Sequence, residues 1–195
     1  MYIYQDTNWP DFTWNDKSLL ILLSKARNLQ GKLIGKMEAI GFSLREEAML
    51  ETLTIDIVKS NEIEGKLLNS DQVRSSIAKR LGMEISGLLP SDRDVEGVVE
   101  MMLDATQNYE QPLTKERLCN WHAALFPTGR SGIHKITVAD WRKEKNGPMQ
   151  VVSGPMGKEK VHYQAPPAEL VDNQMNRFSD WFNYENNMEP VLKSG

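Results

Sequence analysis

The chain is poor in cysteine: Cys119 stands alone among 195 residues. An internal disulfide is excluded, and a lone thiol fits a reducing, cytoplasmic setting. Long apolar runs are missing as well. The longest purely aliphatic stretch, residues 19–23, falls far short of the roughly 20 residues that cross a bilayer, so no membrane partner is expected. The opening Met1-Tyr2-Ile3-Tyr4-Gln5-Asp6 lacks a basic region followed by an apolar one, which argues against a secretory leader. Charge of one sign is also scarce. The 23 basic and 27 acidic residues leave a net charge of −4, without the basic face that nucleic-acid binding needs. There is no glycine-rich loop ending in Lys-Ser or Lys-Thr to cradle a phosphate, no internal repeat and no low-complexity segment.

What is present is mostly helical pattern, in one large domain or two small ones. Residues 1–15, with Tyr2, Ile3, Tyr4, Trp9, Pro10, Phe12 and Trp14, read as an extended aromatic strap. Asn15 or Asp16 caps a helix over residues 17–40. Its stripe holds Leu19, Leu22, Leu23, Ala26, Leu29, Leu33, Ile34 and Met37. A second helix covers about 43–64. At 100° per residue Met49, Leu53 and Ile57 share one sector, and Ser60 and Glu64 continue it. A hydroxyl and a carboxylate on an apolar stripe are expected to face inward, with Glu62 on the opposite side. Gly65 closes the helix as its left-handed residue. A carboxylate in the last turn sits at the negative end of the helix dipole, which costs roughly 0.3–1 kcal/mol, so Glu64 calls for a cationic partner. A second apolar sector, Leu44, Ala48, Ile55 and Val58, predicts neighbours on both sides of this helix.

Further helices are expected over residues 70–81, 91–108 and 115–126, the last stopped by Pro127. From Thr128 glycines punctuate the chain. Residues 149–153 and 160–164 read as two strands joined by Gly154-Pro155-Met156-Gly157. Pro166-Pro167 opens a helix over 168–184, and Glu189-Pro190-Val191-Leu192-Lys193 begins another.

Few residues invite chemistry. Cys119 and His122 share a helix face at i, i+3, but no third ligand stands nearby, so a packed thiol beside a histidine is the plainer reading. His122, His134 and His162 form no constellation with a nucleophile, and His162 reads as a strand side chain. Gly129-Arg130-Ser131-Gly132 reads as a plain loop. The Trp181-Phe182 pair reads as core.

Two stretches go further. Trp141-Arg142, Pro148-Met149-Gln150-Val151-Val152-Ser153-Gly154-Pro155, Val161-His162-Tyr163, Pro166-Pro167 and Trp181-Phe182-Asn183 resemble, in residues and spacing, the flap region of Fic-domain proteins. Ser60-Asn61-Glu62-Ile63-Glu64-Gly65 resembles the inhibitory Ser/Thr-x-x-x-Glu-Gly/Asn motif of the same family. The resemblance implies a mainly α fold, a helical bundle with one β-hairpin flap. It implies an N-terminal helical domain over residues 1–88, with its inhibitory helix at about 43–64, and the first part of a Fic core over 89–195, with the flap at about 148–165.

The family mostly transfers AMP from ATP to a hydroxyl of a target protein, with ATP and Mg²⁺ as cofactors. By this resemblance Glu64 pairs with a signature arginine and takes the place of the ATP γ-phosphate, supported by Ser60 and Gly65. The flap residues Met149, Gln150, Val151, Val152 and Ser153 receive an extended target segment by strand addition. A homo-oligomer is compatible with it. The catalytic signature His-x-Phe-x-x-Gly-Asn-Gly-Arg-x-x-Arg does not occur here, so no catalytic residue is assigned to this chain. The expectation is a truncated, self-inhibited adenylyltransferase that is inactive by itself. The alternative is a non-catalytic regulatory module, such as an antitoxin-like inhibitor of a separate Fic protein.

Overall fold

A computed structural model describes residues 1–84, 87–143 and 147–194, leaving aside the side chains of Phe42 and Ser43. The protein is mainly helical with two small antiparallel hairpins. It divides into two compact units, one formed by Gln30–Ala139 and the other by Met1–Leu29 with Asp140–Gly195. This partition differs from the one expected at residues 88 and 89; Gly195, at the end of the second expected domain, lies outside the described residues. No described helix is long and apolar enough to cross a membrane.

The unit Gln30–Ala139 holds the end of α1 (Asp16–Ala39), then α2 (Phe42–Ile63), α3 (Ser70–Arg80), α4 (Arg93–Gln107) and α5 (Lys115–Leu125). Its core joins Leu50, Leu53 and Ile57 of α2 to Val73, Ile77 and Ala78 of α3 and to Val95, Val98, Val99 and Leu103 of α4. Each such aliphatic side chain contributes about 1.5–3 kcal/mol on burial. Thr54 lies inside this core, and its hydroxyl is satisfied by the Leu50 carbonyl at 2.7 Å.

The helix ends follow their sequence signals. The Asn69 side chain accepts from the Gln72 N–H at 3.0 Å, and Thr114 does the same for Arg117 at 3.1 Å. At the close of α2 the Lys66 N–H reaches the Asn61 carbonyl and the Gly65 N–H reaches the Glu62 carbonyl. Gly65 has φ +77°, completing a Schellman turn. The same pair of bonds recurs at Gly82 and Met83 after α3.

One carboxylate ties α4 to α5. Asp104 Oδ2 accepts from Arg117 Nε and from Trp121 Nε1, both at 2.7 Å. Its Oδ1 accepts from Asn108 at 2.8 Å. The Arg117 guanidinium lies over the Trp121 ring at 5.0 Å. The two helices approach closely at Gly97, where a side chain would strike the backbone of α5.

A short hairpin, β1 (Arg130–Ser131) with β2 (His134–Lys135), forms where a plain loop was expected. Gly132, with φ +58°, makes its turn, a two-residue geometry that hides in so short a sequence.

Two expectations for α2 fail. Its second apolar sector is only partly covered: Val58 packs against the core, but Leu44 is 64% exposed and Ile55 49% exposed. One face is packed, not two, because α3 and α4 both take the Leu50–Ile57 side. Ser60 and Glu64 do not face inward either; both are exposed. The helix ends at Ile63, so a rotation of 100° per residue no longer applies at Glu64, and the Schellman turn takes the chain away before the packed face reaches it. In the last turn the half-buried polar residue is Asn61, whose Nδ2 donates to the Ile57 carbonyl at 2.9 Å.

In the other unit the N-terminal strap is not fully extended; it makes a 3₁₀ turn at Ile3–Gln5. The Gln5 side chain braces that turn, its Oε1 accepting the Tyr2 N–H at 2.7 Å. Tyr2 and Tyr4 both meet the ring of Tyr163 edge-on, at 5.5 and 6.1 Å. Tyr163 belongs to β4 (Lys160–Gln164), which pairs with β3 (Gln150–Ser153). After the hairpin come α6 (Ala168–Tyr184) and α7 (Pro190–Ser194). Lys193 Nζ donates to the Phe182 and Glu185 carbonyls at 2.7 and 2.6 Å, a cation on the negative end of α6. Arg27 of α1 donates to Glu189, whose other oxygen accepts the Val191 N–H at 2.7 Å.

Candidate functional site

The β3–β4 hairpin combines a fully exposed strand, β3, with a defined backbone register. Its register pairs Gln150 with Gln164, Val151 with Tyr163, Val152 with Val161 and Ser153 with Lys160, with an irregularity between Val151 and Val152. The Ala165 N–H reaches the Met149 carbonyl at 2.9 Å, so the pairing extends to Met149. Trp141 and Arg142 fasten the segment before the hairpin: Trp141 Nε1 donates to Asp172 Oδ1 of α6 at 2.9 Å, and Arg142 donates to the Pro166 carbonyl.

Every residue of β3 is exposed, and among the described residues β3 pairs with β4 alone. Its other edge therefore offers backbone donors and acceptors, flanked by Met149, Val151 and Val152 at 60%, 58% and 47% exposure. An open edge with apolar side chains on both faces is suited to take up one more strand.

The hairpin also brings together two residues that sequence reading kept apart. Ser153 Oγ and His162 Nε2 are 2.5 Å apart across the strands; the imidazole tautomer decides which donates. The contact is diagonal, Ser153 standing opposite Lys160 with His162 two residues further along β4, so only the register with its irregularity could have signalled it. At the tip, Glu159 accepts the Gly157 N–H at 2.8 Å, and backbone donors hold its carboxyl below its ordinary range.

In the other unit, the expected inhibitory residues lie at the end of α2. Gly65 makes the turn. Ser60 and Glu64 are exposed, and neither side chain has a hydrogen-bond or ion-pair partner among the described residues. Their neighbours do: Lys59 pairs with Glu62 at 2.6 Å, and Lys66 with Asp94 at 3.1 Å. Glu64 is thus an unpaired carboxylate on a well-fixed helix end.

The remaining candidates resolve into structure. His122 Nδ1 accepts the Ala139 N–H at 3.3 Å and its ring lies 5.0 Å from Phe126. Cys119 is free and half-buried. Among the described residues no group of three or more His, Cys, Asp or Glu could hold a metal ion.

The arrangement defines a mainly helical protein with a fixed helix end and an open-edged hairpin. Residues 2–83 match the family model of a domain of unknown function, DUF4172. The match runs from the N-terminal turn through α1, α2 and α3 to the second Schellman turn, and stops short of the hairpin. No curated protein matches the chain.

Proposed function

We propose that the chain is the regulatory and target-docking part of an ATP-dependent protein adenylyltransferase of the Fic type, held inactive through Glu64. The observation that carries this reading is the open edge of β3, anchored by Trp141, Arg142 and Tyr163. It is the docking strand such an enzyme needs for an extended target segment. The unpaired Glu64 carboxylate on a rigid helix end adds support, since it is available to an arginine from outside these residues.

The reading requires the general base, the phosphate loop and the Mg²⁺ site to come from a His-x-Phe-x-x-Gly-Asn-Gly-Arg-x-x-Arg segment beyond Gly195. It follows that residues 1–195 alone transfer nothing. Two tests apply. The gene downstream of the codon for Gly195 must encode that signature. The purified 195-residue chain, incubated with labelled ATP, Mg²⁺ and lysate, must give no label that depends on it. An absent signature, or labelling by the chain alone, overturns the reading.

A further inference from the structure

We infer that the N-terminal aromatic strap is a clamp on the hairpin: Tyr2 and Tyr4, seated on Tyr163, hold the strand register and so preset the open edge of β3. Strap and hairpin belong to the same compact unit. Tyr2 and Tyr4 lie nearly parallel, 6.0 Å apart, and both meet the Tyr163 ring edge-on, the geometry that aromatic pairs prefer.

The hairpin needs such a clamp. A two-stranded hairpin is marginal by itself, and among the described residues β3 and β4 pair only with each other. Their register is irregular between Val151 and Val152. A slip of one residue there would send side chains to the opposite face. Tyr163 stands opposite Val151, directly beside the irregularity, so a fixed Tyr163 ring opposes that slip. Along the two strands only Tyr163 and Gln164 are half-buried; the rest are exposed. The strap sits at the covered end and leaves β3 open.

The strap is also built to hold. The Gln5 N–H reaches the Tyr2 carbonyl at 2.9 Å, and the Trp9 N–H reaches the Asp6 carbonyl at 3.1 Å. The Asp6 side chain accepts the Asn8 N–H at 2.9 Å, and Trp9 meets Phe12 edge-on at 5.5 Å. Trp14 Nε1 then donates to Asp16, the first residue of α1, at 2.9 Å. A run of local contacts thus connects the start of α1 to the turn that presents both tyrosines. Rings offered from a preformed turn lose little freedom on seating.

Hydrogen exchange of the 195-residue chain tests the clamp. In Tyr2→Ala/Tyr4→Ala, amides of residues 149–164 are expected to exchange roughly tenfold faster or more, with α3, α4 and α6 unchanged. Tyr2→Phe/Tyr4→Phe is expected to keep wild-type protection, because the contacts are between rings. Tyr163→Ala is expected to speed exchange at the Ile3–Gln5 turn in return. Unchanged hairpin exchange in the alanine pair overturns the inference, and so does lost protection in the phenylalanine pair. Faster exchange in α3, α4 or α6 as well would mean general loosening and overturns it too. That the clamped edge receives a target rests on the proposed function. Exchange is read without target or ATP, so failure of the clamp and failure of docking are separate results.

Discussion

A Cβ placed on Gly97 would collide with the backbone carbonyl oxygen of Ala124. This is a contact between the backbones of α4 and α5, so no side chain can rotate away from it. Gly97→Ala is expected to push the helices apart beside Val98 and Val99, which are fully buried. Helix propensity favours alanine by about 1 kcal/mol, but overpacking against backbone costs about 1–3 kcal/mol or more. The net expectation is a lower midpoint in urea denaturation. A midpoint raised above wild type would contradict the close approach.

Asp104 predicts an acid-sensitive clasp. The Asn108 side-chain amide, then Arg117 and Trp121, hold its carboxyl below the ordinary value, against the raising effect of burial. A carboxyl depressed in the folded state stabilises fully above its unfolded value of about 3.9. That contribution is lost as pH falls through the lower folded value. Asp104→Asn is expected to cost about 1–3 kcal/mol at neutral pH, because Arg117 loses its charged acceptor. The gap to wild type should narrow steadily below pH ~4. Melting temperatures of the two proteins from neutral to acid pH check this, and a gap that stays constant would contradict it.

The hairpin edge predicts a separation of activities. Val152→Pro should distort β3 and remove a backbone donor. If the proposed function holds, target labelling by the full-length enzyme should fall while self-labelling largely survives. Unchanged target labelling would mean the hairpin serves as a lid and not as a docking strand.

Much of the fold was legible because short-range signals decide it. Asn69, Thr114 and Gly65 each sit where their own chemistry caps or ends a helix, and α6 begins directly after Pro166-Pro167. The Gln150–Ser153 and Lys160–Gln164 strands follow from β-prone runs around a Gly-Pro turn. What was not legible depends on which helix packs where. Periodicity showed two apolar sectors on α2 but not that α3 and α4 would share one of them. It carried Glu64 inward by extending a rotation past Ile63, where the helix had ended. The Asp104 clasp joins residues 13 and 17 apart on two helices; only the i, i+4 spacing of Arg117 and Trp121 hinted at it. The candidate inhibitory and flap residues were found through resemblance, and their accessibility came only from the structure.

By the proposed function Glu64 restrains adenylyl transfer, and the decisive measurement is AMP incorporation by the full-length enzyme that this function requires. Glu64 is unpaired among the described residues, whereas Glu62 is committed to Lys59 at 2.6 Å. Under the proposed function a charge-assisted pair between Glu64 and a signature arginine would contribute about 1.5–3 kcal/mol, so its loss should raise transfer by roughly ten- to a hundredfold. Glu64→Gly is expected to show that rise, Ser60→Ala a smaller one, and Glu62→Gly none, with melts confirming that all three fold. Equal incorporation by Glu64→Gly and wild type, both folded and both binding ATP, would contradict the account.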